Sequence, residues 1–540
     1  MTLTAAGVLA RRGFYDQAAI TTFLEPRLSH LSPPTRMKGR AEASSRIVRA
    51  IQKREPICVF GDYDADGITS AAIVSDILRA LGGDVSVVLA DRFSGGYGLS
   101  DEALTRVMET GASLLITCDC GSSDHERLWR ATRSGLDTIV IDHHRVPDEP
   151  LPVLAFLNPH RPECEFEYKG LASCGLALSL CAAVRAELGS TLDVRQWLDL
   201  VALGTIADVA PLDGDNRPLV RVGLAELARR ARPGIRALLQ IVRHGRGALS
   251  AEDVAFRLAP RINAPGRLGS PTAALELLLA KSDGDAIRLA GELDAMCERR
   301  KLLDRAMLDE ALSMLAEPAL AAMPAIVLGA QGWHQGVVGI VAGRLAARFG
   351  KPTAVIGFDG AFGRGSARGP NGFRLYDALA RSSEALAGFG GHQAAAGVHV
   401  EFAKFERFRE LFSESCASMG APAGGRASDL TADAQLEAED DPVNVLADLE
   451  RFEPCGQANP APKIALLRAR VLSLRNLRAG LVRFEVATGG RTIPCFGFDL
   501  NTSGVRSGSE VSILGSFRRD TYRGTNSVEM RVLEVHPSGV

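Results

Sequence analysis

The chain has 540 residues, and because ordinary domains run to about 150 residues, the sequence predicts about three or four compact units. Hydrophobic residues make up 46% and charged residues 23% of the chain, which excludes a disordered or fibrous protein. The 62 Lys and Arg nearly cancel the 64 Asp and Glu, so the net charge of −2 excludes a general attraction to nucleic acid or membrane, and a site for a polyanion has to be local.

The cysteines and the amino terminus predict a cytoplasmic protein. Ten cysteines are few for this length, and Cys58, Cys118 and Cys181 lie inside apolar runs, as small buried hydrophobes do. The first residues, MTLTAAGVLARRGF, lack the basic start of a secretion signal, and no run of about 18 uncharged apolar residues predicts a membrane span. We therefore expect a reducing compartment and no membrane partner.

The first half of the chain predicts a helical cap followed by an α/β domain. Residues 1–50 have helical spacing, interrupted at Pro33 and Pro34. Residues 51–283 then begin with short, continuous apolar runs between helical stretches, and these runs are 57–60, 85–90, 113–117 and 138–141. Continuous runs are typical of parallel strands covered on both faces. The remainder of this domain, from about residue 171, reads mostly as helix.

The second half predicts a long helix, a second lobe and a β module. Residues 284–318 have helical spacing and predict a helix that connects two lobes, and residues 319–420 open a second α/β unit with AIVLGA. An acidic linker with a solvated helix is predicted over 421–459. From residue 460 to 540 short alternating strands follow one another, and twelve Arg or Lys against six Asp or Glu give this module a charge of about +6. It is predicted to be a small, basic β-barrel.

The motif GDYDADG is the strongest local signal. Asp62, Asp64 and Asp66 follow an apolar strand directly, and Gly67 allows a tight turn into the next helix. Three carboxylates this close repel one another unless cations hold them. An EF-hand Ca²⁺ loop or an acidic helix cap is the alternative, but a buried strand stands where an EF-hand has a helix, and Glu is absent at loop position 12.

Later strands of the first sheet also end in potential ligands: Asp91, Asp119, and the run Asp142, His143 and His144. The carboxyl ends of parallel strands form the ligand crevice of an open sheet, so these groups are expected to converge there. Uncompensated carboxylates in one crevice indicate bound metal, and oxygen ligands with imidazole favour Mn²⁺ or Mg²⁺. Cys118 and Cys120 beside His143 leave zinc as an alternative. Two such ions about 4 Å apart would activate a water for phosphoester hydrolysis.

Eight motifs in order resemble the RecJ family, single-strand-specific DNA exonucleases among the DHH phosphoesterases: GDYDADG, DRFSGGYGL, TCDCGSSDH, IDHH, GTIADVAPL, PRINAPGRL, WHQGVVGIVAGRL and GGHQAAAG. The whole match runs from about residue 10 to beyond residue 400, and FEPCGQANP resembles the approach to the family's OB-type domain. The resemblance implies two α/β lobes of DHH and DHHA1 type joined by a long helix, with a C-terminal all-β OB-type module. It also implies two Mn²⁺ or Mg²⁺ ions, single-stranded DNA as substrate, and single-strand-binding protein and a helicase as partners.

The resemblance also implies roles for individual residues. The metal ligands would be Asp62, Asp64, Asp66, Asp119, His143 and Asp208, with Asp119 bridging the ions. His144 would contact the scissile phosphate and act in catalysis together with Asp64, Asp66, Asp119, His143 and Asp208. The strand and its 5′-phosphate would be held by Arg92, Tyr97, His144, Asn263, Arg267, Ser366, Arg368 and His392.

Several of these residues have a structural alternative. Asp208 alone would be a helix cap, Arg92 alone a surface arginine, and His144 a second ligand or the partner of a carboxylate. Two positions depart from the family's pattern: Cys120 stands where many relatives have Asn, and Ala-Arg-Gly-Pro follows Ser366 in place of the commoner Gly-Arg-Ser. The first departure leaves every ligand in place, and the second affects the contacts to the terminal phosphate.

We therefore expect an exonuclease that hydrolyses single-stranded DNA from the 5′ end in repair and recombination. A DHH phosphodiesterase of short oligonucleotides or cyclic dinucleotides is one alternative, although the extra β module argues against it. A non-catalytic DNA-binding scaffold of replication is the other, and the complete ligand set argues against that.

Overall fold

The computed structural model describes residues 1–243, 248–391, 393–421, 431–477, 480–520 and 527–537. It contains two α/β lobes joined by a long helix and a C-terminal all-β barrel, so the predicted fold class is confirmed. None of the helices in these ranges is both long enough and apolar enough to span a membrane.

The first sheet has five parallel strands in the order β2-β1-β3-β4-β5. The strands are β1 (Ile57–Gly61), β2 (Val85–Leu89), β3 (Leu114–Cys118), β4 (Asp137–Ile141) and β5 (Ala155–Leu157). The first four coincide with the predicted apolar runs, and all five residues of β1 and of β3 are buried. β5, with only three residues, was not predicted from the sequence.

The first half of the chain also contains two N-terminal helices, the helices that cover both faces of this sheet, and a helical region that ends at the second lobe. Their bounds are Leu3–Arg11, Gln17–Leu24, Arg40–Lys53, Ala65–Ala80, Asp101–Glu109, His125–Arg133, Ser173–Glu187, Leu198–Ala207, Asn216–Arg229, Pro233–Ile241, Ala251–Asp253, Ala259–Asn263, Pro265–Leu268 and Thr272–Leu279, with a π-helical turn at Val254–Leu258 and 3-10 turns at Leu28–His30, Pro34–Arg36 and Val194–Trp197.

The connecting helix spans Asp283–Met314 and leads to the second lobe. The second sheet has the order β6-β7-β8-β10-β9, in which only β6 and β7 are parallel. Its strands are β6 (Ile326–Gln331), β7 (Thr353–Asp359), β8 (Phe362–Arg368), β9 (Gly388–Gly391) and β10 (Ala395–Glu401). Its helices are Pro318–Ala322, Val338–Phe349, Leu375–Arg381 and Phe405–Ser418, with 3-10 turns at Ser383–Ala385 and Phe402–Lys404.

The C-terminal module is a barrel, because β12 pairs with both β13 and β15 and so closes the sheet. Its strands are β11 (Ala434–Gln435), β12 (Ile464–Asn476), β13 (Leu481–Thr488), β14 (Arg491–Phe498), β15 (Glu510–Arg519) and β16 (Val528–Pro537). Alternating residues of these strands, such as Val482, Phe484 and Val486, fill its core.

The N-terminal helices belong with this barrel and not with the first lobe. Ala5, Val8 and Leu9 are almost fully buried in the same apolar cluster as the barrel strands. The N–H of Thr4 donates to Asp440 at 2.6 Å, which fixes the first helix to the segment before the barrel. Residues 1–50 therefore divide between two units: the helices Leu3–Arg11 and Gln17–Leu24 pack on the barrel, and the helix Arg40–Lys53 packs in the core of the first lobe.

The acidic segment before the barrel was predicted to carry a solvated helix, and this is also wrong. The helix Pro442–Leu449 buries Val445, Leu446 and Leu449 in the barrel's cluster, and Asp448, its one acidic residue, accepts a hydrogen bond from the N–H of Thr2 at 2.6 Å. The buried guanidinium of Arg217 then fixes the following turn, because it donates to the backbone carbonyl of Phe452 at 3.0 Å. The described part of the segment, residues 431–459, thus belongs to a packed unit, and residues 422–430 lie outside the described ranges.

Candidate active site

The first acidic loop joins β1 to the helix Ala65–Ala80. Asp64 caps this helix, because its Oδ1 accepts hydrogen bonds from the N–H groups of Asp66 and Gly67 at 3.0 and 3.1 Å. Asp62 and Asp66 are both 1% exposed. A Cβ at Gly67 would lie 2.6 Å from backbone atoms of Asp62, so this tight turn requires glycine. The motif GDYDADG thus packs three carboxylates at the end of one buried strand.

The loops after β3 and β4 bring two further groups to the same edge of the sheet. Asp119 follows β3 directly, with a φ of +64°, a left-handed conformation that is uncommon for a residue other than glycine. Such strained backbone clusters at functional sites. His143 follows β4 after one intervening residue. Because β1, β3 and β4 are adjacent and parallel, their loops meet.

The side chains of all six predicted ligands come together. His143 Nε2 lies 3.2 Å from Asp119 Oδ1, 3.8 Å from Asp208 Oδ2 and 3.9 Å from Asp66 Oδ2. In the described part of the chain, three groups have ligand atoms within 4.8 Å of one another: Asp62 with Asp64 and Asp119, Asp66 with His143 and Asp208, and Asp119 with His143 and His144. Asp119 and His143 each belong to two groups, so they lie between the others.

Asp66 is held in place by the amino end of the helix Ser173–Glu187, a contact that the sequence did not reveal. The N–H groups of Ser173 and Cys174 donate to its two carboxylate oxygens at 2.7 and 3.0 Å. Backbone donors carry no side-chain signal, so only the position of a helix start could have indicated them. They fix the carboxylate of Asp66 toward His143.

The electrostatics of this cluster fit bound cations. Burial, followed by the charges of neighbouring carboxylates, raises the pKa of Asp119 well above its usual value and that of Asp208 to about 8. Asp62 Oδ1, Asp119 Oδ1 and His143 Nε2 are buried without a hydrogen-bond partner among the described residues. Buried polar atoms are otherwise almost always paired, so these three fit metal ligands. Hard oxygens with imidazole suit Mn²⁺ or Mg²⁺.

The raised pKa of Asp208 predicts a pH-dependent effect of metal on stability. Because this pKa is higher in the folded than in the unfolded chain, the metal-free fold binds the extra proton and loses stability as pH rises from about 4 to about 8. Mg²⁺ requires the ionised carboxylate, so its addition should raise the melting temperature more at about pH 8.5 than at about pH 6. Thermal melts with and without Mg²⁺ measure this.

The variant Asp208→Asn removes one like charge from the cluster. It should melt higher than the parent without metal at about pH 8.5 and gain less from Mg²⁺. Asp309→Asn, on the exposed side of the connecting helix, is the matched control and should behave as the parent. An equal gain from Mg²⁺ in the parent and in Asp208→Asn would contradict the assignment of Asp208.

His144 is oriented by two neighbours. Its Nδ1 lies 2.8 Å from Asp142 Oδ1 and 2.9 Å from the hydroxyl of Tyr97, which itself donates to the backbone carbonyl of Asp119 at 3.0 Å. Burial alone would lower the pKa of His144, but the hydrogen bond and charge of Asp142 outweigh burial and raise the pKa to about 9. A protonated imidazole donates hydrogen bonds and does not bind metal, which favours a phosphate contact for His144.

Three predicted substrate residues line the cleft between the lobes. Arg92 stacks over the ring of Tyr63 at 4.0 Å, and its Nε donates to the carbonyl of Gly266 at 3.2 Å. Arg267 donates to the carbonyl of Gly336 in the second lobe at 3.2 Å, and burial lowers its pKa to about 10. Asn263 accepts a hydrogen bond from the N–H of Ala65 at 2.8 Å, so it supports the acidic loop directly.

Ser366 and Arg368 face the same cleft from β8. An Nη1 of Arg368 donates to Ser366 Oγ at 2.6 Å, and burial together with the nearby Arg92 lowers the pKa of Arg368. A Cβ at Gly339 would lie 3.1 Å from Arg368 and 3.2 Å from Ser366, so the first turn of the helix Val338–Phe349 packs against both. Helix starts favour anions. His392, the remaining predicted contact, lies outside the described residues.

Comparison with known families divides the chain into three matched regions. The DHH family N-terminal domain matches residues 56–205, the DHHA1 domain residues 322–418, and the RecJ OB domain residues 432–534. The first region holds Asp62, Asp64, Asp66, Asp119 and His143, and the second holds Ser366 and Arg368. Asp208 lies just beyond the first region.

Similar proteins extend over almost the whole chain. The single-stranded-DNA-specific exonuclease RecJ of Salmonella typhimurium is 36% identical over 547 residues, which covers 95% of this chain and 93% of the relative. RecJ of Bacillus subtilis is 34% identical over 538 residues, 98% of this chain and 68% of the relative. The crystal structure of Thermus thermophilus RecJ in complex with Mn²⁺ superposes with a TM-score of 0.84 at 31% identity, over 99% of this chain and 76% of that one.

Proposed function

The chain belongs to the RecJ family of single-stranded-DNA-specific exonucleases, and from this premise we propose that it hydrolyses single-stranded DNA from the 5′ end at the cluster that runs from Asp62 to Asp208. The observation that carries the proposal is that Asp62 Oδ1, Asp119 Oδ1 and His143 Nε2 are buried without a hydrogen bond among the described residues, although the last two atoms lie only 3.2 Å apart. A non-catalytic scaffold would have no reason to keep polar atoms buried without partners, since each costs about 1 to 3 kcal/mol.

The residues of the cluster divide the work of hydrolysis. When bound, two divalent ions activate the attacking water and neutralise charge that develops on the phosphate. Asp66 is fixed by Ser173 and Cys174, so its carboxylate stays aligned with His143. His144, held by Asp142 and carrying a proton near neutral pH, donates a hydrogen bond to a phosphate oxygen.

The direction of cleavage follows from the second lobe. Ser366, Arg368 and the first turn of the helix Val338–Phe349 form an anion site that faces Arg92. A terminal 5′-phosphate is the anion that such a pocket would hold at a strand end. An end anchored there, beside Arg92 of the first lobe, would direct the first phosphodiester bond toward the acidic cluster of that lobe.

The barrel supplies a surface for the remainder of the strand. Phe496 is buried, at 5% exposure, beneath the guanidinium of Arg518 at 4.2 Å, whereas the neighbouring Phe498 is 57% exposed and offers an open ring. Arg483 of β13 lies opposite Phe496 on one neighbouring strand, β14, and opposite Arg475 on the other, β12. Arg475 and Arg483 are both exposed. Basic surfaces with aromatic rings bind single strands through phosphate charge and base stacking. Arg478, Tyr522 and Arg523 lie outside the described residues.

This surface predicts a loss of affinity without a loss of chemistry. The double variant Arg475→Glu with Arg483→Glu should bind long single strands more weakly, and its slope of log affinity against log salt should be shallower by about 1 to 2, since about 0.7 counterions are released per phosphate contact. Cleavage of a dinucleotide should be unchanged. Fluorescence anisotropy over a salt series measures the slope.

Substitution is a better test than removal of the module, because removal would expose Ala5, Val8 and Leu9 of the N-terminal helix. Arg195→Glu, at an exposed arginine that pairs locally with Asp193, is the matched control. If the double variant kept the parental affinity and salt slope, the barrel surface would not bind the strand.

The substrate class is tested by comparing a single strand with a blunt duplex, a cyclic dinucleotide, RNA and a linear dinucleotide, with Mg²⁺ or Mn²⁺. We expect rapid release of nucleotides from a single strand, slow or no release from a blunt duplex, and little hydrolysis of cyclic dinucleotides. RNA of the same sequence is the fourth substrate. Preference for a cyclic dinucleotide or a dinucleotide over long strands would instead support the small-substrate phosphodiesterase.

The partners and compartment follow from the same role. We propose that single-strand-binding protein and a helicase act with this enzyme, since both provide single strands for its cleft. We also propose a cytoplasmic location, because all ten cysteines are unpaired and none is exposed, as in a reducing compartment.

A further inference from the structure

An exposed phenylalanine stands out in the helical segment between the barrel and the catalytic loop. Phe256 is 75% exposed, more than any other phenylalanine of the described residues. It lies in the π-helical turn Val254–Leu258. Single exposed apolar residues are common, so exposure alone indicates nothing. π-turns, however, are rare and often mark functional sites.

The sequence explains why the turn forms at this place. In an α-helix the N–H of residue 260 would donate to the carbonyl of residue 256, but residue 260 is proline and has no N–H. The helix therefore loses this hydrogen bond beneath Phe256 and widens. The backbone is irregular at Phe256, but the helix start just before it is fixed by a capping box formed by Ser250 and Asp253.

Phe256 is one member of a stripe along the outer side of this segment. The stripe consists of Glu252, Phe256, Pro260, Asn263 and Arg267, which recur at intervals of three or four residues and are exposed or half-buried. The intervening residues Val254, Leu258 and Ile262 are buried in the lobe's core. The stripe is exposed at Glu252 and Phe256 and becomes enclosed at Asn263 and Arg267, which contact the acidic loop and the second lobe.

Each end of the stripe touches a part of the proposed substrate path. At one end Glu252 pairs with Arg531 of β16 at 3.0 Å, and the N–H of Ala251 donates to Glu453 before the barrel. At the other end Asn263 supports the catalytic loop at Ala65, and Arg267 reaches the second lobe at Gly336. Asn263 is seven positions after Phe256, which corresponds to a rise of roughly 10 Å along a helix.

We propose that Phe256 stacks on a nucleobase of the single strand between the barrel and the metal cluster. The proposal rests on the proposed function and adds a binding site for a base that lies behind the scissile bond. A flat, exposed ring accepts any of the four bases, as a nuclease without sequence preference requires. Bases paired in a duplex are stacked on their neighbours and cannot take this place, so the ring also favours single strands.

The test is a scan with abasic sites. Anisotropy is measured in EDTA, so that no cleavage occurs, on 5′-phosphorylated strands that each lack one base at a successive position from the 5′ end. For the parent, one position or two adjacent ones should weaken binding by about fivefold or more. Phe256→Ala should bind the intact strand more weakly by a similar factor and should lose no further affinity at those positions. Phe256→Trp should restore the parental pattern.

The matched control is Phe362→Ala, at a 66% exposed phenylalanine on the end of β8 away from Arg368. It should match the parent throughout. The proposal is overturned if Phe256→Ala binds the intact strand like the parent, or if its binding is weaker but its abasic pattern is parental. If the parent neither binds nor cleaves single strands, the proposed function itself has failed, which is a separate and distinguishable result.

Discussion

Replacing Asp119 or Asp66 by alanine should lower hydrolysis of single-stranded DNA by at least about a thousandfold. Metal ions supply several kcal/mol of transition-state stabilisation, and each 1.36 kcal/mol corresponds to a tenfold change in rate. Asp119 belongs to two of the three groups of potential ligands, and Asp66 forms the third with His143 and Asp208. The loss of either carboxylate would therefore remove a ligand on which the site depends. Initial rates with Mg²⁺ and with Mn²⁺ measure the effect.

Binding and folding should survive in the same variants. Burial and the neighbouring carboxylates raise the pKa of Asp119, so Asp119→Ala should not lower the melting temperature without metal. Burial also raises the pKa of Asp66, but His143 and the N–H donors of Ser173 and Cys174 oppose this rise, so Asp66→Ala should lose some stability while remaining folded. Affinity for single strands in EDTA should remain near the parental value in both. Asp309→Asn is the control. Hydrolysis at near the parental rate by purified Asp119→Ala would show that the cluster is not the catalytic site.

Replacing Arg368 by alanine should remove a preference for 5′-phosphorylated over 5′-hydroxyl ends. A hydrogen bond to a charged group contributes about 1.5 to 3 kcal/mol, so we expect the preference to fall by about tenfold or more. Because Arg368 also orients Ser366, the variant Ser366→Ala should reduce the preference in the same direction. Rates on matched strands with either end measure the ratio.

The rate on 5′-hydroxyl strands distinguishes this role from a structural one. It should stay near the parental rate in Arg368→Ala, since no terminal phosphate is present to be lost. Arg381→Ala, at an exposed arginine that donates to Ser418 on a neighbouring helix, is the control. A parent enzyme that cleaves both ends equally would remove the basis for this assignment.

Much of the catalytic fold could be predicted because buried parallel strands leave a clear pattern. The runs at β1 to β4 are apolar without alternation, and the polar residue that follows each strand marks the end of the sheet. The convergence of Asp62, Asp119 and His143 follows from strand adjacency alone. β5 has three residues, too few to carry a pattern.

Contacts between distant parts of the chain could not be predicted. Thr4 and Asp440 lie 436 positions apart, and the residues around one give no sign that it contacts the other. The packed helix Pro442–Leu449 could not be predicted, because the acidic residues before and after it dominate the pattern and its apolar face has only three side chains. Asp208 was identified only through the family motif, because a single aspartate at the end of a helix has no pattern of its own.

Three further features have no recognisable signal in the sequence: an exposed ring, two backbone donors and the partner of His144. Phe256 reads as an ordinary apolar residue of a helix, and only its exposure and the π-turn distinguish it. The donors to Asp66 are backbone N–H groups, which every residue but proline has. Asp142 was noted as a strand-end acid, but its role in orienting His144 requires the three-dimensional arrangement.

The most direct test of the account is a time course on one single strand labelled either at its 5′ or at its 3′ end, with Mg²⁺ or Mn²⁺ present. The account predicts that the 5′ label appears at once in mononucleotides, that the 3′-labelled strand shortens progressively, and that Asp119→Ala or EDTA stops both. Release of the 3′ label first, or the same products from the Asp119→Ala variant, would contradict it.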